Sequence, residues 1–266
     1  MRRTKLKVEP MNIAENTRQG LSLNQDTQLT EWPVPPRSIA PWWHTALLVA
    51  FLITVSVLTS MQSKTKGFSG SHIHRYFFGI CWEWLLAALV WWGIRMRHVP
   101  VRQLLGQRRA GWKEWARDFG VALIFWVMAI IVLAAVAVVL KLMHFTTLQK
   151  AALDLAPQSG AEIAVWLLLC LTAGIVEEFV FRGYLLQQFA SIGGRVWLGV
   201  IVSSLLFGSA HGYEGIGGMI AITTFGAMFS ILAVKRRSLR AGIMAHAWHD
   251  SITGIVLAIV KHLHLI

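Results

Sequence analysis

Residues 163–189 read IAVWLLLCLTAGIVEEFVFRGYLLQQF. The run is long enough to cross a bilayer, which takes roughly 20 mostly apolar residues. Yet Glu177, Glu178 and Arg182 stand in the middle of it, between Leu167–Val176 and Tyr184–Leu186. A charged side chain at the centre of a bilayer costs about 2.5–3.5 kcal/mol on insertion scales, so it needs a partner or a purpose. Glu178 and Arg182 are spaced i, i+4 with the acid N-terminal to the base, the favourable order on a helix, and can neutralise each other. Glu177 points about 100° away and has no cation near it in sequence. A carboxylate held in a dry place has its charged form disfavoured, which suits a general base. Glu177 is therefore the stronger catalytic candidate, whereas Glu178 and Arg182 read first as a structural pair.

Working outward, six further apolar runs surround this one, at about Trp42–Met61, Phe77–Trp92, Val121–Leu140, Val196–Ala210, Ile216–Val234 and Ala241–Val260. The expected fold is all-α, a polytopic transmembrane bundle of about seven spans. Between the second and third runs, Val101, Leu104, Leu105, Trp112 and Trp115 fall at helical spacing opposite Arg102, Arg109, Lys113 and Arg117, the pattern of an amphipathic helix lying at the interface. Residues 1–41 are polar and hold five of the seven prolines, so they are expected to be disordered. Arg2, Arg3, Lys5 and Lys7 imitate the start of a signal peptide, but no apolar core follows, and cleavage is not expected. The chain thus divides into a tail (1–41), N-terminal membrane helices with an interfacial segment (42–160) and a membrane core (161–266).

The composition agrees, with 55% hydrophobic and 14% charged residues. A net charge of +12 would suggest nucleic acid in a soluble protein. Counted by loop, however, 18 Lys and Arg fall with the tail and every second loop and 6 on the opposite side. The positive-inside rule then places the N-terminus in the cytoplasm and the C-terminus outside, in a plasma (inner) membrane. The surplus reads as a topology signal with attraction to anionic lipid on the cytoplasmic face, and no nucleic-acid partner is expected. Cys81 and Cys170 lie inside apolar runs without a CxxC neighbour, which argues against a disulfide or a thiolate zinc site.

Two later runs also carry polar groups. The fifth ends Phe207-Gly-Ser-Ala-His211 before Gly212, Gly215, Gly217 and Gly218, where neutral imidazole can accept a proton or bind a metal. The seventh opens His246-Ala-Trp-His249-Asp250, with His246 and Asp250 sharing a face at i, i+4. His249 is on another face and reads as packing or interfacial, and His262 and His264 as tail residues. Glu83, between Trp82 and Trp84, is a candidate for burial, but no spacing ties it to chemistry.

Together, Glu177-Glu178-x-x-x-Arg182, Phe207-x-x-x-His211 and His246-x-x-x-Asp250 resemble, in order and spacing, the three motifs of the CAAX protease and bacteriocin-processing family of intramembrane endopeptidases. The resemblance covers about residues 160–262. It implies a peptidase in which Glu177 and His211 activate a water while His246 and Asp250 hold the developing oxyanion, acting on a membrane-bound or lipid-modified peptide or protein. Family members known for prenyl-protein processing commonly have asparagine where this chain has Asp250. An ionised aspartate accepts hydrogen bonds but cannot donate one to an oxyanion. Asp250 is thus protonated, or orients His246, or joins Glu177, His211 and His246 around zinc, a plausible ligand set. No cofactor is favoured, with zinc the second choice. The rival readings are a catalytically silent membrane scaffold or bacteriocin-immunity protein of the same fold, and a small transporter relaying protons through buried acids. The lack of an internal repeat argues against the transporter.

One point of depth remains open at the sequence level. Straight helices would put His211 and His246 about 15 Å apart along the membrane normal at 1.5 Å per residue, unless the glycine-rich turn after His211 lies within the bundle.

Overall fold

The computed structural model describes residues 37–63, 71–106, 111–145 and 155–263. Among the described residues it contains eight α-helical elements and no strand: α1 (Trp42–Ser63), α2 (Ile73–Arg95), α3 (Val101–Leu105), α4 (Trp112–Leu142), α5 (Gly160–Gly193), α6 (Val196–Ala210), α7 (Gly215–Arg236) and α8 (Arg240–His262). Every one of the seven apolar runs is a helix. Six helices are long and apolar enough to cross a membrane; α6, with 15 residues, is shorter, about 22 Å against a hydrocarbon core of about 30 Å. Only 17% of the most apolar stretch of α4 is buried. Its outward face, with Ile124 and Ile131 exposed, needs lipid to cover it. The chain is an integral membrane protein.

The centre of the bundle is α5, packed against α2, α6 and α8. Its start follows from an N-cap: Ser159 Oγ accepts from the Glu162 backbone N–H at 3.2 Å. The Glu162 carboxylate in turn accepts from the backbone N–H groups of Gln158 (2.7 Å) and His72 (2.9 Å), which ties the start of α2 to the start of α5. Over Glu178–Leu185 the helix loosens into a π-helical segment, all eight residues of which are buried. Such segments are rare and frequently mark functional positions. The helix ends where Gly194 takes the left-handed conformation at φ 63°.

Helix α8 crosses α5 closely. A Cβ on Gly174 would meet the Ala247 Cβ and backbone nitrogen at 3.0 Å, and small residues allow such approaches between membrane helices. At one end of the bundle, Asp118 of α4 holds Arg236 and, at 2.8 Å, Arg240. The Leu239 backbone N–H donates to Leu105 O at 3.1 Å. The regions around 101–118 and 235–240, which the charge count assigned to one side, therefore meet.

Two expectations are corrected. The amphipathic stretch is not one helix: α3 stops at Gly106, whose φ of 84° breaks the helical path, and α4 starts at Trp112 with Gly111 as its N-cap. Leu104 is completely buried, so α3 packs onto the bundle, and Trp112–Arg117 form the first turns of the third apolar helix. Arg109 lies outside the described residues. The boundary of the tail also moves. Residues 1–36 lie outside the described residues, but Ile39 and Ala40 are buried and their N–H groups donate to Gln188 Oε1 at 2.8 and 3.2 Å. Gln188 Nε2 donates back to Ala40 O at 2.9 Å. The amide of Gln188 satisfies this backbone as a neighbouring strand would, and order follows.

Candidate active site

Glu177 is the last residue of the α-helical part of α5 and Glu178 the first of its π-helical segment. Glu178 is completely buried. Its Oε1 forms an ion pair with Arg182 Nη1 at 2.9 Å, the contact expected from the i, i+4 spacing, and accepts from His246 Nδ1 at 3.0 Å. The Arg182 guanidinium lies 4.2 Å from the Phe207 ring centroid and 5.4 Å from that of Phe229. A delocalised cation between aromatic faces and a carboxylate can be held away from water. Gly242 of α8 belongs to the same arrangement, because a Cβ there would stand 3.1 Å from Glu178 Oε2.

His246 is fixed by that carboxylate. An ionised Glu178 only accepts, so Nδ1 carries the proton, and Nε2 faces the cavity. There it stands 3.6 Å from Glu177 Oε2 and 3.6 Å from Asp250 Oδ2. These distances are too long for direct hydrogen bonds and leave room for a bridging group. Glu177 Oε2 is buried with no hydrogen-bond partner, the condition in which a polar atom calls for an explanation. The Glu177 side chain is 14% exposed and that of Asp250 31%, and both border a cavity of about 830 Å³ that His211 and His246 also line.

His211 sits at the end of α6, where its Nδ1–H donates to Phe207 O at 2.9 Å, leaving Nε2 as an acceptor. The Phe207 ring bridges the two histidines, with centroids 5.0 Å from His211 and 6.0 Å from His246. The depth problem is resolved by the chain after α6. Gly212–Glu214 form a single 3₁₀ turn packed on α1, where the Gly212 N–H donates to Ser56 Oγ at 3.2 Å. Irregular backbone is tolerated at membrane depth where it lines a cavity.

The structure thus brings Glu177, Glu178, Arg182, His246 and Asp250 into one cluster, with Phe207 against it and His211 on the same cavity. His249, read as a packing residue, also lines the cavity, its ring 4.7 Å from that of Phe225. Glu83, Tyr213 and Glu214 line it too, and sequence reasoning gave them no role. The usable signal for Glu83 was its charge inside an apolar run. Among the described residues, no three His, Cys, Asp or Glu side chains are grouped so as to hold a metal ion.

Fold and cluster define the class: a polytopic helical membrane protein with an ionisable site inside its bundle. Comparison with known families adds a match over part of the chain. Residues 159–252, from the cap of α5 into α8, match the family model described as Type II CAAX prenyl endopeptidase Rce1-like. All three motifs lie within this segment, and the resemblance read from them holds across it. No curated protein and no solved structure matches the chain.

Proposed function

We propose that the chain is an intramembrane endopeptidase that cleaves a peptide bond of a membrane-associated or lipid-modified peptide or protein. The observation that carries this reading is the position of His246 Nε2, 3.6 Å from both Glu177 and Asp250 and fixed from behind by Glu178. A water beside Glu177 gives up a proton to the Glu177 carboxylate, with His211 helping to hold that water from the same cavity, and its oxygen attacks the scissile carbonyl. The oxyanion that forms takes a hydrogen bond from an imidazolium Nε2–H of His246, a donor in place before the charge develops. Asp250, on the other side of that nitrogen, orients the ring. The proton taken from water then goes to the leaving amine, and the peptide bond is broken. Arg182 balances Glu178 and does not touch the reacting atoms. The largely apolar cavity walls suit a substrate that arrives from the bilayer, and the cation distribution puts the N-terminus in the cytoplasm and the C-terminus outside.

The test is cleavage of a prenylated peptide by the purified protein in lipid vesicles, alongside a proteomic comparison of membranes carrying the natural chain or Glu177→Ala. Cleavage abolished by Glu177→Gln and by His246→Ala is the expected result. A natural chain that cleaves nothing and alters no membrane protein would leave the silent scaffold as the better reading.

A further inference from the structure

The cavity leaves the ionisable cluster in one direction. Its walls include Trp166 and Glu177 of α5, eleven residues apart, and His246 and Leu257 of α8, also eleven apart. At 1.5 Å per residue it therefore extends about 16 Å along the helix axes. Each helix that borders it leaves the same end of the bundle bare: among the described residues, none of 37–51, 87–132, 182–206 or 226–245 lines the cavity. That end is filled with protein. Arg182, Leu185 and Phe229 are buried there, and a Cβ on Gly183 would meet Leu104 Cβ and Leu239 Cδ1 at 3.3 Å. Beyond them Asp118 holds Arg236 and Arg240, beside the exposed Arg102, Lys113, Arg117 and Lys235. The opposite end is the mouth. Thr59 is exposed there and Arg75, Tyr213 and Glu214 are half-buried, and all four line the cavity. Among the described Lys and Arg residues, Arg75 alone borders it.

We propose that the site is entered from the face opposite the basic loops, and that its substrate is a peptide segment exposed on the non-cytoplasmic side of the membrane. The positive-inside rule makes the basic face the cytoplasmic one, so the mouth at Thr59 and Glu214 faces outward. The Glu178–Arg182 pair and the side chains packed behind it close the direct route from the cytoplasm. A strand rising about 3.3 Å per residue reaches from the mouth to Glu177 with about five residues, so the scissile bond lies close to the outer surface of the substrate's membrane. The polar groups at the mouth also give the water consumed in hydrolysis a path from that side. The substrate class rests on the peptidase reading above, whereas the side from which the cavity is entered does not.

The full chain in right-side-out and inverted membrane vesicles tests both parts. With Cys81 and Cys170 replaced by serine, Thr59→Cys and Glu214→Cys are expected to react with a charged, membrane-impermeant maleimide added to right-side-out vesicles, and to lose that labelling in inverted ones. Arg102→Cys, on the basic face, is expected to do the reverse. The two mouth reporters stand on different elements, so if one variant fails to fold the other still decides. Labelling of a mouth reporter in inverted vesicles only, or in neither preparation, overturns the outward mouth. The second measurement uses a prenylated peptide whose charged linker keeps it in the leaflet to which it is added. The natural chain is expected to cleave it in right-side-out vesicles, with loss of cleavage in inverted ones, and cleavage in inverted vesicles overturns the substrate class. If the labelling is as expected but neither preparation cleaves the peptide, the outward mouth stands and the peptidase reading falls.

Discussion

Arg182 is completely buried, and removing its guanidinium leaves Glu178 in the bundle with His246 as its remaining partner. Breaking a buried pair from one side costs about 3–5 kcal/mol, because an uncompensated charge stays behind. Arg182→Ala should therefore lower stability by about that amount, read as loss of the folded fraction in detergent at rising temperature. A variant that melts like the natural chain and only loses turnover would move Arg182 into the reacting site. Asp250→Asn probes another role. It replaces an acceptor with a group that can also donate to an oxyanion, so activity should be kept or raised. If zinc bridged Asp250 and its neighbours, the same change would weaken metal binding, and exhaustive chelation of the natural chain would abolish activity that added zinc restores. At this scale the sequence was informative where partners are close along the chain. Glu178 with Arg182 and His246 with Asp250 were both legible as i, i+4 pairs. The bond from His246 to Glu178 was not, because 68 residues separate them and no periodicity encodes a contact between helices. The same holds for Glu83, which lines the cavity from another helix.

Helix α5 shows what an element adds to its residues. Glu177, Glu178 and Arg182 sit at the passage from α to π geometry, where the i→i+5 pattern shifts side-chain directions relative to a regular helix. The apolar run predicted a helix there but contains nothing that announces the change of register. The break at Gly106 was missed for a related reason: the apolar spacing of Val101–Trp115 outweighed a glycine that ends the helix. The crossing of α5 and α8 gives a direct test. Gly174→Leu should cost about 1–3 kcal/mol by overpacking and should also lower activity, since Ala247 adjoins His246. Gly120→Ala is the control. A Cβ on Gly120 of α4 meets nothing within 4 Å, so that variant should be neutral or gain up to about 1 kcal/mol. Equal melting temperatures for Gly174→Leu and the natural chain would mean that the two helices separate without cost.

For the whole molecule, the apolar runs were enough to place seven apolar helices among the described residues, because hydropathy over about 20 residues is a strong signal. They could not show that α6 is shorter than the rest, or that the turn after His211 is packed on α1. The charge asymmetry leads to a prediction at this scale. Reporter tags at the N-terminus and within Lys235–Arg240 should be found in the cytoplasm, and one after Ile266 outside. A C-terminal tag on the cytoplasmic side would mean an even number of crossings, with α6 failing to count as one.

The clasp of Gln188 on Ile39 and Ala40 reaches further than the local order it creates. Gln188 and Glu177 belong to the same helix, so Ile39 and Ala40 are tied to the element that carries the candidate base. A chain trimmed to begin at Trp42 would release that tie and uncover the Gln188 amide, with Thr45 as its remaining side-chain partner. The shortest chain that keeps this helix in its natural setting therefore starts before Ser38, even though Trp42 is where the first membrane helix begins.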